Sequence, residues 1–291
     1  MSYLAQAIGE LKSQIHAYLQ QSTNELVRFQ VKLDKVDLLA WLKGQSAYPQ
    51  FYLHFRDEEK ALAALGAVQS FSQLNLAQEF IEESGFPLVG GLQFQGTAQF
   101  VLPKMLVEQD NKGTLVSFFV KDEQSANDTL AHLKTFENIT ALSALPKQIP
   151  LHTEPRANER TWCDWVNQAL VEIKSGELTK IVLANETTFH LKQAINAYDF
   201  LAESEKQNQG CYHFLWAENS HSVFVGSTPE RLFAREYNLL LTEALAGTAS
   251  VSESEEETQS QANWLLNDEK NLKENWLVVE DISQNLSKQV E

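Results

Sequence analysis

Hydrophobic residues along the chain change period several times, and the changes mark out its elements. Leu4, Ile8, Leu11, Ile15 and Leu19 recur at helical spacing and predict an amphipathic helix over the first 21 residues. Residues 25–33 alternate like a strand, a short helix is expected around 36–42, and 51–55 reads as a second strand. A helix is expected over 74–82, then glycine-rich strands joined by turns over 87–100. The apolar stretches 104–107 and 115–120 flank Asp110-Asn111-Lys112-Gly113, a hairpin connection. Another helix follows near 126–136. Residues 142–156 contain three prolines and little periodicity, so they read as a linker and place a domain boundary near residue 150.

Beyond that boundary, Trp162, Trp165, Val166, Leu170 and Ile173 form the apolar side of a helix over 159–174. Residues 179–189 are strand-like and 198–207 helical, and 212–217 and 223–226 predict two strands around Glu218-Asn219-Ser220. A further strand is expected over 239–246. Strands joined by short turns imply an α+β fold of antiparallel sheets with covering helices. The acidic run 252–257 reads as a solvated helix start. Leu265, Leu272, Trp276, Val279, Ile282 and Leu286 predict one long helix reaching the end of the sequence at Glu291. So wide an apolar stripe expects a covering partner, so self-association through this helix or an interrupted domain is the expectation.

Composition narrows the function. The 291 residues include 43% hydrophobic positions, enough for a substantial core. With 39 acidic against 23 basic residues the formal charge is −16, which opposes binding to nucleic acid. The same field repels a small anionic substrate unless cationic groups intervene. Cys163 and Cys211 have neither metal-type nor disulfide-framework spacing, so a reducing, cytoplasmic compartment is expected. No apolar run has the length of a membrane span, and no glycine-rich phosphate loop, repeat or zinc pattern is present.

Four ordered stretches carry chemistry. They are Lys180-Ile-Val-Leu-Ala184, Gly226-Ser-Thr-Pro-Glu-Arg-Leu232, Thr242-Glu-Ala-Leu-Ala-Gly-Thr248, and Asp268-Glu-Lys-Asn271 leading to Glu274-Asn-Trp-Leu-Val-Val-Glu-Asp281. In this order and at these separations they resemble the chorismate-utilising enzymes, which include anthranilate synthase component I. Within that group the chain is most similar to the isochorismate synthases of menaquinone biosynthesis. The resemblance covers the whole chain but lacks the family's C-terminal segment, with its further substrate contacts and second metal-binding carboxylate. It divides the chain into an N-terminal α+β region, 1–150, and an incomplete chorismate-binding domain, 151–291.

The resemblance implies that chorismate becomes isochorismate as water attacks C2 and the C4 hydroxyl departs. It assigns the base to Lys180, the acid to Glu230, a Mg2+ ligand to Glu274, and substrate contacts to Gly247 and Thr248. A lysine base needs its ordinary pKa of about 10.4 depressed by burial or a nearby cation. Other readings of the same residues stay open. Lys180 reads equally as a solvated strand end, and Glu274 as an exposed helix glutamate beside the apolar stripe. Ser227-Thr-Pro-Glu230 has the spacing of a capping box with Pro229 at the first helical position. Gly247 and Thr248 fit an ordinary turn, and His213 between Tyr212 and Phe214 a packed core histidine. Lysine at position 180, where ammonia-adding relatives carry glutamine, implies water as nucleophile, as do Ala249 and Ser250 in place of Arg-Pro. Salicylate synthases share the lysine, so pyruvate elimination stays open, as does a siderophore-pathway isochorismate synthase, and a non-catalytic remnant is a further alternative. Asn185 stands where relatives carry arginine.

Overall fold

The computed structural model describes residues 3–21, 24–56 and 58–288. The side chain of Leu4 and the expected helix end at Glu291 lie outside the described residues. The chain forms two compact units, Met1–Lys147 with Ala194–Pro229, and Gln148–Gln193 with Glu230–Glu291. It therefore passes between them three times, and the proline-rich stretch near 150 is only the first passage.

The first unit runs α1 (Tyr3–Gln20), β1 (Val27–Leu33), α2 (Leu38–Lys43), β2 (Gln50–His54), β3 (Ala61–Leu65), β4 (Gln69–Phe71) and α3 (Leu74–Ser84). It continues with β5 (Val89–Leu92), β6 (Ala98–Leu102), β7 (Met105–Asp110), β8 (Gly113–Val120) and α4 (Glu123–Thr135). The second unit opens with β9 (His152–Pro155), α5 (Glu159–Ser175) and β10 (Thr187–His190). The chain then returns to the first unit for α6 (Ala197–Gln207), β11 (Tyr212–Ala217) and β12 (Val223–Thr228). Back in the second unit come β13 (Ala234–Glu236), β14 (Leu239–Leu241), α7 (Glu255–Leu265) and α8 (Glu269–Ser287).

A seven-stranded antiparallel sheet, ordered β1-β8-β7-β3-β2-β11-β12, organises the first unit. Side chains alternate across it, so Ala63 and Leu65 join one core while Ala64 between them joins another. On the first face, Leu11, Ile15 and Tyr18 of α1 bury with Trp41 and Leu42 of α2, Leu133 of α4 and Leu201 of α6. On the other, Val89, Val101 and Leu102 of the β4-β6-β5 sheet pack on Leu106 and Phe119. This is the α+β architecture the sequence pattern implies. The 110–113 hairpin forms as expected, with Asp110 opposite Gly113 and the Asp110 carboxylate accepting the Lys112 and Gly113 amides.

Several expectations need correction. Residues 179–186 form no strand; the regular segment begins at Thr187 and pairs with β9, inside the stretch expected to be a linker. A strand is defined by its ladder, and apolar composition alone supplies no partner. The strand over 239–246 shrinks to Leu239–Leu241 for the same reason. The long C-terminal helix is broken at 266–268, where the Asp268 carboxylate caps a new helix by accepting the Asn271 amide. No helix is long and apolar enough to cross a membrane among the described residues.

One buried ion pair joins α2 to α6. Lys43 Nζ lies 2.7 Å from Asp199 Oδ1 and also donates to the Ala141 carbonyl, while the Ser143 amide donates to the same carboxylate. Both side chains are about nine-tenths buried. Asp199→Ala leaves an uncompensated ammonium there, which typically costs about 3–5 kcal/mol. Denaturant titration of the first unit is expected to register that loss; an unchanged midpoint would show that Lys43 escapes to solvent.

Candidate active site

The second unit gathers four of the five candidate site residues around α8 and its neighbouring segments. Lys180, in the irregular stretch after α5, places Nζ 3.2 Å from Glu274 Oε1, and Lys270 approaches the other oxygen at 3.6 Å from one turn earlier. Both Lys180 and Glu274 are roughly 70% buried, with side-chain exposures of 28% and 30%. The Lys180 ammonium, with desolvation opposing it and Lys270 assisting, holds the Glu274 carboxyl below the usual carboxylate range. Next to Glu274 on α8, Asn275 Nδ2 donates to the Ala244 carbonyl at 2.9 Å. Asn271 on the same face lies against Gly247, where an added Cβ would stand 2.9 Å from its Oδ1. The segment bearing Gly247 and Thr248 is thus tied to the helix that bears Glu274.

This arrangement corrects the expected orientation of α8. Leu272 and Trp276, placed on the buried stripe by periodicity, are 50% and 63% exposed. The half-buried face carries Asn271, Glu274, Asn275 and Val278 beside Val279, Ile282 and Leu286, so the expected stripe holds towards the C-terminal end and fails at Leu272 and Trp276. Polar partners at Lys180 and Ala244 decide the rotation, because a half-buried carboxylate and amide must find hydrogen-bonding groups.

Glu230 is exposed, two residues past the end of β12. The capping-box alternative fails here: residues 229–233 form no helix, and Ser227 lies within β12. Ser227 Oγ instead meets His213 Nδ1 at 2.7 Å. The next residues join the other motifs. Arg231 Nε faces Glu243 at 3.9 Å, and Thr242 Oγ1 donates to the Leu232 carbonyl at 2.8 Å. Contacts therefore run from 231–232 to 242–243, from 244–247 to α8, and from Glu274 to Lys180. Thr248 is exposed beside Gly247. His213 is buried, as a core histidine should be.

Two positioning residues are not evident from the motifs alone. Asn185 Oδ1 accepts the Ala157 amide and its Nδ2 donates to the Ala157 carbonyl, both at 3.0 Å. This clamps the end of the Lys180 segment beside Asn158, which caps α5. Asn275 similarly reads as an ordinary helix-surface amide until its bond to Ala244 is seen. At position 185 a short amide bonds both the amide and the carbonyl of Ala157, which needs a donor and an acceptor on one side chain.

Helices over antiparallel sheets, with a lysine, two glutamates and a close-approach glycine in ordered motifs, define a protein of the chorismate-binding class. The family model described as chorismate binding enzyme matches residues 92–291, and the chain belongs to that family. It is 99% identical over its whole length to isochorismate synthase MenF of Haemophilus influenzae, spanning 68% of that protein. Identity to isochorismate synthase MenF of Pasteurella multocida is 46%, over 98% of this chain and 67% of the relative. The solved structure of MenF, the menaquinone-specific isochorismate synthase from Escherichia coli, superposes with a TM-score of 0.87 at 29% identity. That superposition covers 97% of this chain and 69% of the other. The chain thus spans about two thirds of the length of these relatives.

Gly247 has φ +82° as well as the Asn271 and Leu265 side chains against its open face. A side chain there meets both backbone strain and a neighbour, so Gly247→Ala should destabilise the second unit by about 1–3 kcal/mol. Differential scanning calorimetry checks this. Equal stability would mean that the turn opens freely and does not hold the position seen.

Proposed function

We propose that the chain carries chorismate-processing machinery of an isochorismate synthase acting in menaquinone biosynthesis, in the cytoplasm. The observation that carries this reading is the contact of Lys180 with Glu274 on the helix whose Asn271 and Asn275 hold the Gly247 segment. Relatives named for this activity at 99% and 46% identity support it. So does the menaquinone-specific name of the Escherichia coli structure.

Converting chorismate to isochorismate requires water to lose a proton as its oxygen bonds to C2. The ring double bonds shift, and the C4–O bond breaks as that oxygen gains a proton. Nothing is oxidised or reduced, and one water enters as one leaves. Lys180 is proposed, as the neutral amine, to take the proton from the attacking water, which requires that it give up the ion pair with Glu274. Glu230 is proposed to give a proton to the departing hydroxyl. Gly247 lets the substrate approach the backbone and Thr248 offers a hydroxyl. Lys270 places a cation beside Glu274, where an anionic substrate would otherwise meet a protein of charge −16.

Mg2+ enters the proposal through Glu274, which supplies one hard oxygen donor of the kind magnesium takes. Among the described residues no group of three His, Cys, Asp or Glu side chains could hold a metal. Both Glu274 oxygens already face ammonium groups, of Lys180 and Lys270, so as placed the residues present do not by themselves fit the ion, and no step is routed through it.

Lys180→Ala, in a chain extended to the length of the Haemophilus relative, should lower turnover on the order of 10²–10⁴-fold while chorismate still binds. Near-normal turnover would eliminate Lys180 as the base. Glu230→Gln should likewise fold and lose turnover, because an amide cannot deliver the proton. The 291-residue chain alone should show no magnesium-dependent conversion. It brings one carboxylate to the site and leaves Val182, Leu266 and Trp276 largely exposed. The extended chain should convert chorismate; appreciable turnover by the shorter one would overturn this expectation.

A further inference from the structure

The last residues of β12 are held by a set of contacts that the reaction as outlined does not use. His213 on β11 is buried, and its Nδ1 lies 2.7 Å from Ser227 Oγ. Burial pushes this imidazole below its ordinary pKa, so it is neutral and one ring nitrogen accepts. Ser227 Oγ is also 2.8 Å from Ser204 Oγ of α6, and Asn208 Nδ2 donates to that hydroxyl at 3.1 Å. His213 Nδ1, Ser227 Oγ and Ser204 Oγ thus form a continuous hydrogen-bonded row that ends at Asn208. Two residues beyond Ser227, the Arg56 guanidinium donates to the Pro229 carbonyl and lies 5.4 Å from the Tyr212 ring centroid. In the ladder, Ser227 pairs with His213 and Thr228 with Tyr212. The β11 ladder holds Gly226 to Thr228, side chains of α6 and β11 hold Ser227, Arg56 just beyond β2 holds the Pro229 carbonyl, and the next residue is Glu230.

We propose that His213, acting through Ser227, and Arg56, acting through the Pro229 carbonyl, are positioning residues for Glu230 in hydroxyl departure. This rests on the reading of Glu230 as the general acid. A carboxyl that must meet a leaving oxygen in line gains from a rigid stem, and misplacement by about 1 Å can cost on the order of 10²-fold in rate. The contacts lie in the first unit and touch neither Lys180 nor the Gly247 segment. Their loss should therefore act on turnover and leave substrate binding alone.

The test uses Arg56→Ala and Ser227→Ala in the chain extended to the relatives' length, with Ser227→Thr keeping the hydroxyl and Glu230→Gln as reference. Turnover should fall by up to about 10²-fold in Arg56→Ala and Ser227→Ala with KM unchanged. The alkaline limb of the kcat–pH profile, set by the group that must stay protonated, should shift, and Ser227→Thr should recover most of the rate. Melting curves identify any variant that fails to fold, and Arg56→Ala, at the surface, carries the test if Ser227→Ala does. Unchanged kcat in folded Arg56→Ala, or a uniform loss at every pH, would overturn the positioning role while leaving Glu230 as the acid. Full turnover in Glu230→Gln would instead remove the acid reading itself.

Discussion

The ladder between β11 and β2 ties the late part of the chain to the early sheet. His213 pairs with His54, Leu215 with Tyr52, and Ala217 with Gln50, so a segment after residue 210 supplies the sixth strand of a sheet begun before residue 35. Leu215 and Ala217 are fully buried against α6, which the Lys43–Asp199 pair fastens to α2. The Tyr198 hydroxyl donates to Gln50 on the strand beneath, and Tyr52 donates to Glu205 at 2.9 Å. Without this pairing β2 becomes an open edge and β12 has no partner. The Gly226–Glu230 motif would then hang from a loop. Each polar bond here is worth only about 0.5–1.5 kcal/mol, so it is their attachment to a buried ladder that makes them geometrically definite.

The second unit is held differently. Among its described residues only Ala157 and Ala169 are buried apolar side chains, whereas Ile149, Val182, Leu232, Val251 and Leu266 stand largely exposed. Its motif segments are connected by polar contacts: Lys180 to Glu274, Asn275 to Ala244, Thr242 to Leu232, Asn185 to Ala157. Such contacts specify which groups meet but contribute little net stability when half exposed to water. A chemistry-bearing unit of this kind takes its precision from direct bonds among its motifs, and it presents apolar surface of the sort that marks interaction faces.

This contrast explains what the sequence could disclose. Helical and strand periods of the first unit were legible because burial enforces them: Leu11 and Ile15 face the core, and the 110–113 turn forms where its residues demand. The motif residues were legible as candidates, and the structure brings Lys180 to Glu274 and the Gly247 segment to the same helix. Their local settings were not. The Lys180 segment looks like a strand because Ile181, Val182 and Leu183 are apolar, yet no described strand pairs with it. The face of α8 was misread because periodicity weighs Leu272 and Trp276 above Glu274 and Asn275. A hydropathy pattern contains no term for an ammonium waiting opposite. Ser227-Thr-Pro-Glu230 has capping-box spacing, but a strand partner at Tyr212–Ala217 extended β12 through it before any helix could begin.

Register shows how closely the sheet constrains the motif. Gly226 sits opposite Phe214, and a Cβ on Gly226 would lie 2.4 Å from the ring Cζ. That ring also packs at a tilt against Phe224, with centroids 5.3 Å apart, so moving it aside breaks a second contact. A slip of one residue would set Val225 or Ser227 against Phe214, drive a side chain into the ring, and turn every β12 side chain to the opposite face. The hydroxyl that meets His213 would then point away, and the Pro229 carbonyl would move off Arg56 by roughly the 3.3 Å rise of one strand residue. A residue without a side chain therefore fixes where four successive backbone groups lie. The glycine of the motif acts through the register it enforces, and Glu230 issues from a stem with one available placement.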